Sequence, residues 1–250
     1  MASKDKAIQG RADLSQFVIH LTRNDSSDGG YTAPENFKSM LADMIIEAYA
    51  PHCLHSQEIP DRYKARYNVA CFTEVPLTQL HQLTKHIRGR KVQLQPYGFV
   101  FRREFIVENG AQPVININSY GGNREVRDAA DELFEIVKKN GFDKGKVCRL
   151  LPFLNAMHEA YDFSWEREWR IVGGLEFEPV DVVAVVLPKG GEEGLRAKFI
   201  KKGIPVLSPG LTYEEIVYEF SLQQRATKTA WVMRRRKTKS SPKKSGRSNK

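Results

Sequence analysis

Apolar positions along this chain recur with two periods, one suited to strands and one to helices. Gln16 to Thr22 (QFVIHLT) is a short run dense in Phe, Val, Ile and Leu, which predicts a buried strand. Thr32 and Glu35 have capping-box spacing around Pro34, and Phe37, Met40, Leu41, Met44, Ile45 and Ala48 then recur at helical intervals. A helix of about four turns is expected there. Asn68 to Thr73 (NVACFT) reads as a strand that passes through Pro76 into a helix carrying Leu77, Leu80 and Leu83.

Tyr97 to Val107 (YGFVFRREFIV) and Pro113 to Ser119 (PVININS) read as two further strands, with Glu108-Asn109-Gly110 as the turn between them. Asn123 to Asn140 is helical in spacing and stops at Gly141. Lys146 to Glu159 is expected to be a helix interrupted near Pro152. Glu168 to Gly173 and Asp181 to Leu187 follow as strands, Glu192 to Lys202 as a helix, Pro205 to Leu207 as a short strand, and a closing helix starts at Tyr213. Several strands are adjacent in sequence, which favours an α+β fold over a doubly wound parallel sheet. Neither GxGxxG nor GxxxxGK[ST] occurs.

Length and composition set the outer bounds. The chain has 250 residues, 41% of them hydrophobic, enough for one full core, so residues 16–230 are taken as one domain after a polar segment 1–15. No apolar run reaches signal-peptide or membrane-span length, so a soluble, cytoplasmic protein with no membrane partner is expected. Cys53, Cys71 and Cys148 fit neither a disulfide framework nor a CxxC metal pattern; each is expected to be a small buried apolar residue.

The net charge of +9 becomes informative once it is located. Nine basic residues and no acidic ones lie between Arg234 and Lys250, and without them the remaining Lys and Arg equal the 30 Asp and Glu. The excess therefore belongs to the tail 231–250, which begins its charge run at Arg234, Arg235, Arg236 and Lys237. A segment of that composition is expected to be disordered when free and to attract nucleic acid through counterion release. A solubilising end is the plainer reading.

Trp165-Glu166-Arg167-Glu168-Trp169-Arg170 is the densest polar feature. As a strand it would point Glu166 and Glu168 to one face and Arg167 and Trp169 to the other, which brings two carboxylates together. An ordinary salt-bridged surface strand accounts for the same pattern. His20 sits inside an apolar strand, where a hydrogen-bonded core histidine is an alternative to a ligand contact. Thr73 and Glu74 end a strand in groups that could bind a ribose or cap a helix. Tyr97 beside Gly98 suits close packing of a planar ring, or simply starts a strand.

Taken in order, FVIHLTR, CFTEVPL, YGFVF with PVININS, and FSWEREWRIVG resemble the AbiGi-type abortive-infection family and its relatives among bacterial ADP-ribosyltransferase toxins, those similar to DarT and CmdT. The resemblance covers roughly residues 16 to 190. It implies a split, mixed or antiparallel sheet with surrounding helices, NAD⁺ as substrate, no metal, a role in phage defence, nucleic acid as target, and a cognate antitoxin or chaperone as a possible partner. It implies that Glu168 is catalytic and Glu166 its ExE partner, that His20 and Thr22 of the first strand and Thr73 of the second contact NAD⁺, and that Tyr97 stacks on nicotinamide. No STS triplet accompanies Thr73. Some relatives are labelled antitoxins, so a catalytically silent binding module or antitoxin component stands as an alternative; a transferase acting on a protein side chain, with the tail serving a partner, is another.

Overall fold

The computed structural model describes residues 15–25, 30–87, 92–118, 120–121, 124–157, 159 and 162–222. Its strands are β1 (Phe17–Arg23), β2 (Ile45–Ile46), β3 (Val69–Thr73), β4 (Leu94–Arg102), β5 (Gln112–Pro113), β6 (Ile115–Ile117), β7 (Leu154–Ala156), β8 (Glu168–Val172), β9 (Leu175–Glu176), β10 (Val182–Val186) and β11 (Val206–Leu207). Its helices are α1 (Ala33–Asp43), α2 (Asp61–Lys64), α3 (Leu80–Leu83), α4 (Arg103–Glu108), α5 (Glu125–Asn140) and α6 (Glu193–Lys201), and residues 213–222 are also helical. The fold is mixed α+β. Seven strands form the central sheet in the order β11-β10-β4-β1-β3-β8-β5, antiparallel throughout except where β10 meets β11.

Strand alternation divides the core between the two faces of this sheet. Val18, Phe99, Phe101, Phe72 and Ile171 face α1 and α6 through Phe37 and Phe199. Ile19, Leu21, Val100 and Val186 face α3 and the 213–222 helix through Leu80, Leu83 and Ile216. A second core lies beside the sheet, where Phe134 and Val137 of α5 pack on Tyr67, Phe142, Cys148 and Leu151.

The two halves of the central sheet meet at β1 and β3 and are barely zipped there. β1 keeps register with β4 from Phe17↔Arg102 to Arg23↔Leu94, with one irregularity after Leu21. Toward β3, among the described residues, the register is confined to Ile19↔Thr73. Beyond that pair the strands part, and the His20 ring bridges the gap, its Nδ1 lying 2.9 Å from the Cys71 carbonyl oxygen.

Four sequence expectations are corrected. The helix over Ala33–Asp43 ends a turn early because Met44 takes a left-handed φ of 55°, and Ile45 enters β2. Arg103–Glu108 is helical rather than the second half of a strand; the turn lets Ile106 enter the core while Arg102, Glu104, Val107 and Glu108 stay exposed. Val147–Phe153 is a 3₁₀ helix containing Pro152, followed by a strand over Leu154–Ala156, because proline supplies no N–H to continue an α-helix. Ser164–Glu166 is a 3₁₀ turn and Arg167 has a φ of 47°, so strand alternation does not reach Glu166.

Candidate functional site

A cavity of about 620 Å³ occupies the opening between β1 and β3, a size suited to a small organic ligand. His20, Thr22 and Arg23 of β1 line it together with Cys71 and Thr73 of β3 and Glu168 and Arg170 of β8. By alternation, His20 and Thr22 leave one face of the sheet, whereas Thr73, Glu168 and Arg170 leave the other. They share one cavity because the strands separate. The segment from Glu47 to Cys53 and residues Asn155 and Ala156 of β7 complete the wall, and Glu166 reaches it from the 3₁₀ turn.

Each lining group has a distinct state. Burial, aided by nearby Arg23 and only partly offset by the hydrogen bond to Cys71, lowers the His20 pKa from 6.5 to about 4. A neutral imidazole that donates Nδ1–H to the Cys71 carbonyl leaves Nε2 as an acceptor, and that nitrogen has no partner among the described residues. The Thr22 hydroxyl is already engaged, lying 3.0 Å from the carbonyl oxygens of both Ala33 and Tyr97. It staples β1 to the start of α1 and to β4.

Glu168 is held by Arg170, whose Nε and Nη2 donate to Oε1 at 2.8 Å and Oε2 at 3.0 Å. Arg170 is 2% exposed and also donates to the carbonyls of Pro152 and His52. The guanidinium thereby ties β8 to His52 on the cavity wall and to Pro152, two residues before β7. Each Glu168 oxygen retains a lone pair after this pairing. The backbone of Glu168 is fixed as well, its carbonyl accepting from Val114 N–H.

Cys71 is open to the cavity rather than packed in apolar core, which corrects the sequence expectation for it. Protein walls it on most sides, and this desolvation, with the Glu168 carboxylate beside it, pushes its thiol well above the ordinary cysteine range. It is a neutral thiol, not a thiolate nucleophile. Cys148 is buried, as expected, and Cys53 is half-buried on the cavity wall.

Two other expectations move. Tyr97 is not on the cavity: its ring packs against Phe37 and its hydroxyl lies 3.3 Å from Glu192 Oε1. The neighbouring Gly98 serves strand approach instead of a ligand ring, since a Cβ there would stand 2.0 Å from the His20 carbonyl oxygen. Glu74 is buried and accepts from Arg103 Nη1 at 2.8 Å and Trp169 Nε1 at 2.9 Å, so it neither caps a helix nor faces the cavity.

The sequence offers Arg23, Arg102 and Arg103 as forks for a pyrophosphate: Arg103 is committed to Glu74 and Arg102 does not line the cavity, while Arg23 lines it with its guanidinium 5.9 Å from the Tyr49 ring centre. Sequence reading missed the roles of Arg170 and Cys71. Arg170 had a signal: residues two apart on a strand share a face, and Glu168 with Arg170 is an opposite-charge pair at that spacing. Arg234, Arg235, Arg236 and Lys237 lie outside the described residues.

Among the described residues no group of three His, Cys, Asp or Glu is placed to hold a metal ion, and no helix is long and apolar enough to cross a membrane. In comparisons with known proteins, no family model, no curated protein and no solved structure matches the chain.

Proposed function

We propose that the chain is a mono-ADP-ribosyltransferase of the phage-defence toxin type, that NAD⁺ binds in the opening between β1 and β3, and that the acceptor is nucleic acid. The observation that carries this reading is the convergence of His20, Thr73, Arg23 and a fixed Glu168 carboxylate on one cavity at a split in the sheet. Those groups match the needs of a ribosyl donor: an acceptor nitrogen for a ribose hydroxyl, a guanidinium for pyrophosphate, and an anion beside the anomeric carbon.

Cleaving the C1′–N bond of NAD⁺ sends the electron pair out with neutral nicotinamide and leaves positive charge on the ribose. Glu168 stabilises that charge, which develops only in the transition state. The acceptor then bonds to C1′ and loses its proton to Glu166, which acts as general base. The basic segment 234–250 adds affinity for nucleic acid without reading its sequence.

One observation favours a second reading, a non-catalytic binding module: both oxygens of Glu168 already accept from Arg170. Nicotinamide release from NAD⁺, followed with and without nucleic acid in wild type and Glu168→Gln, separates the two. Transfer that depends on Glu168 supports the enzyme. NAD⁺ binding with no release under any condition supports the module.

A further inference from the structure

The folded domain as a whole is nearly neutral, yet its charge is unevenly placed. Residues 62–66 and 138–149 hold eight Lys and Arg and a single acid, Asp143. Packing brings these two segments together: the Tyr67 hydroxyl donates to the Phe142 carbonyl at 2.6 Å, and the Tyr63 and Phe142 rings lie 5.7 Å apart. Phe142 and Cys148 are buried between them in the second core, so the charged side chains on both segments are turned outward.

Lys64 is paired with Asp61 and Lys138 with Glu135. Arg62, Arg66, Lys139, Lys144, Lys146 and Arg149 are exposed and form no ion pair among the described residues. Six cations without ion pairs, with Asp143 the one acid within the two segments, repel each other and gain most from a ligand that carries regularly spaced anions.

We infer that this face, formed by residues 62–66 and 138–149, binds the phosphodiester backbone of a nucleic acid. Three of the six are arginines, whose planar forks match phosphate oxygens. Arg62 already lies 4.8 Å over the Tyr63 ring, an arrangement that also suits stacking on a base. The same second core leads directly into the cavity wall, because Leu54 follows Cys53 and Leu154 precedes Asn155. A strand held on this face is therefore carried by the structural unit that borders the opening. The inference extends the transferase reading by giving the acceptor a docking surface, and rests on that reading only for the acceptor's purpose.

The test is a fluorescence-anisotropy titration of a labelled 20-nucleotide single strand against the full chain across a range of salt concentrations. The variant Arg66→Gln/Lys144→Gln/Lys146→Gln/Arg149→Gln is compared with Arg196→Gln/Lys198→Gln/Lys201→Gln/Lys202→Gln on and after α6, which removes the same charge elsewhere. The face variant should bind on the order of tenfold more weakly at low salt, with the slope of log K against log salt reduced by about 0.7 per lost phosphate contact. The control should stay close to wild type, and the melting temperature of the face variant should be unchanged. Equal losses in both variants, or a wild type that binds phosphatidylserine vesicles but no oligonucleotide, overturn the inference. Nicotinamide release is measured on the same samples both with and without oligonucleotide. Face-dependent binding with no release by any protein upholds the surface and sinks the transferase reading, whereas release with no oligonucleotide binding does the reverse.

Discussion

Arg170 and Glu168, two residues apart on β8, form a two-pronged ion pair, with Nε to Oε1 at 2.8 Å and Nη2 to Oε2 at 3.0 Å. Both residues line the cavity and the arginine is almost completely buried, so neither partner can be altered without exposing the other to an unmatched environment. Coulombic attraction from Glu168 holds Arg170 protonated despite a desolvation penalty that opposes it. The Glu168 carboxylate on the cavity is thus positioned by a residue that also holds His52 of the cavity wall.

Replacing Arg170 by Met should cost about 3–5 kcal/mol, the usual result of stranding one partner of a buried pair. Arg170→Lys keeps the charge but cannot reproduce the fork, and it leaves at least one carbonyl without its donor. Urea denaturation gives both stabilities. A loss below about 1 kcal/mol for Arg170→Met would mean that the pair contributes little and that Glu168 is held by its backbone alone.

Acid should destabilise the protein through His20. Its pKa is about 4 when folded against an ordinary 6.5, so the unfolded chain binds a proton at a pH where the folded chain does not. Stability from this group is complete above pH 6.5 and is lost as pH falls toward 4, with a limiting loss of about 3 kcal/mol. His20→Gln should remove that segment of the stability–pH curve while keeping a donor for the Cys71 carbonyl. An identical curve in the variant would contradict the buried, neutral state of the ring.

Thr22 and His20 are neighbours on the same strand face but should behave differently. Thr22→Val preserves shape and removes a hydroxyl that lies within reach of the Ala33 and Tyr97 carbonyls, for an expected cost of about 1–3 kcal/mol. Calorimetry should find NAD⁺ affinity little changed, because that hydroxyl is already engaged by backbone. A large loss of affinity without loss of stability would return Thr22 to the list of donor contacts.

The parts of this fold that follow one hydrophobic period were legible in the chain. β1, β10 and α5 each bury the positions their spacing singles out, and Gly141, with a φ of 96°, ends α5 where expected. Arg103–Glu108 misleads because Phe105, Ile106 and Val107 are good strand formers, yet Ile106 is buried while Arg102, Glu104 and Glu108, which a strand would put on the same face, are exposed. The site was legible as a set of segments rather than as a geometry. Nothing in the spacing of residues 164–168 announces the left-handed Arg167, which takes Glu166 off the strand yet still delivers it to the cavity. Nor could sequence show β1 and β3 parting after one registered pair, the event that lets residues from opposite faces meet.

The most direct measurement is nicotinamide release by wild type and Glu168→Gln, at a temperature where both are folded. Gln keeps one oxygen for Arg170 but sets an amide N–H₂ against its guanidinium, so a stability loss of about 2–3 kcal/mol should accompany the substitution and is determined separately. With calorimetry showing NAD⁺ affinity little changed, turnover should fall ~10²–10³-fold, the effect of losing one preorganised electrostatic group at the transition state. Turnover near wild type in folded Glu168→Gln, or a wild type that releases no nicotinamide with any nucleic acid or cellular extract supplied, would contradict the account.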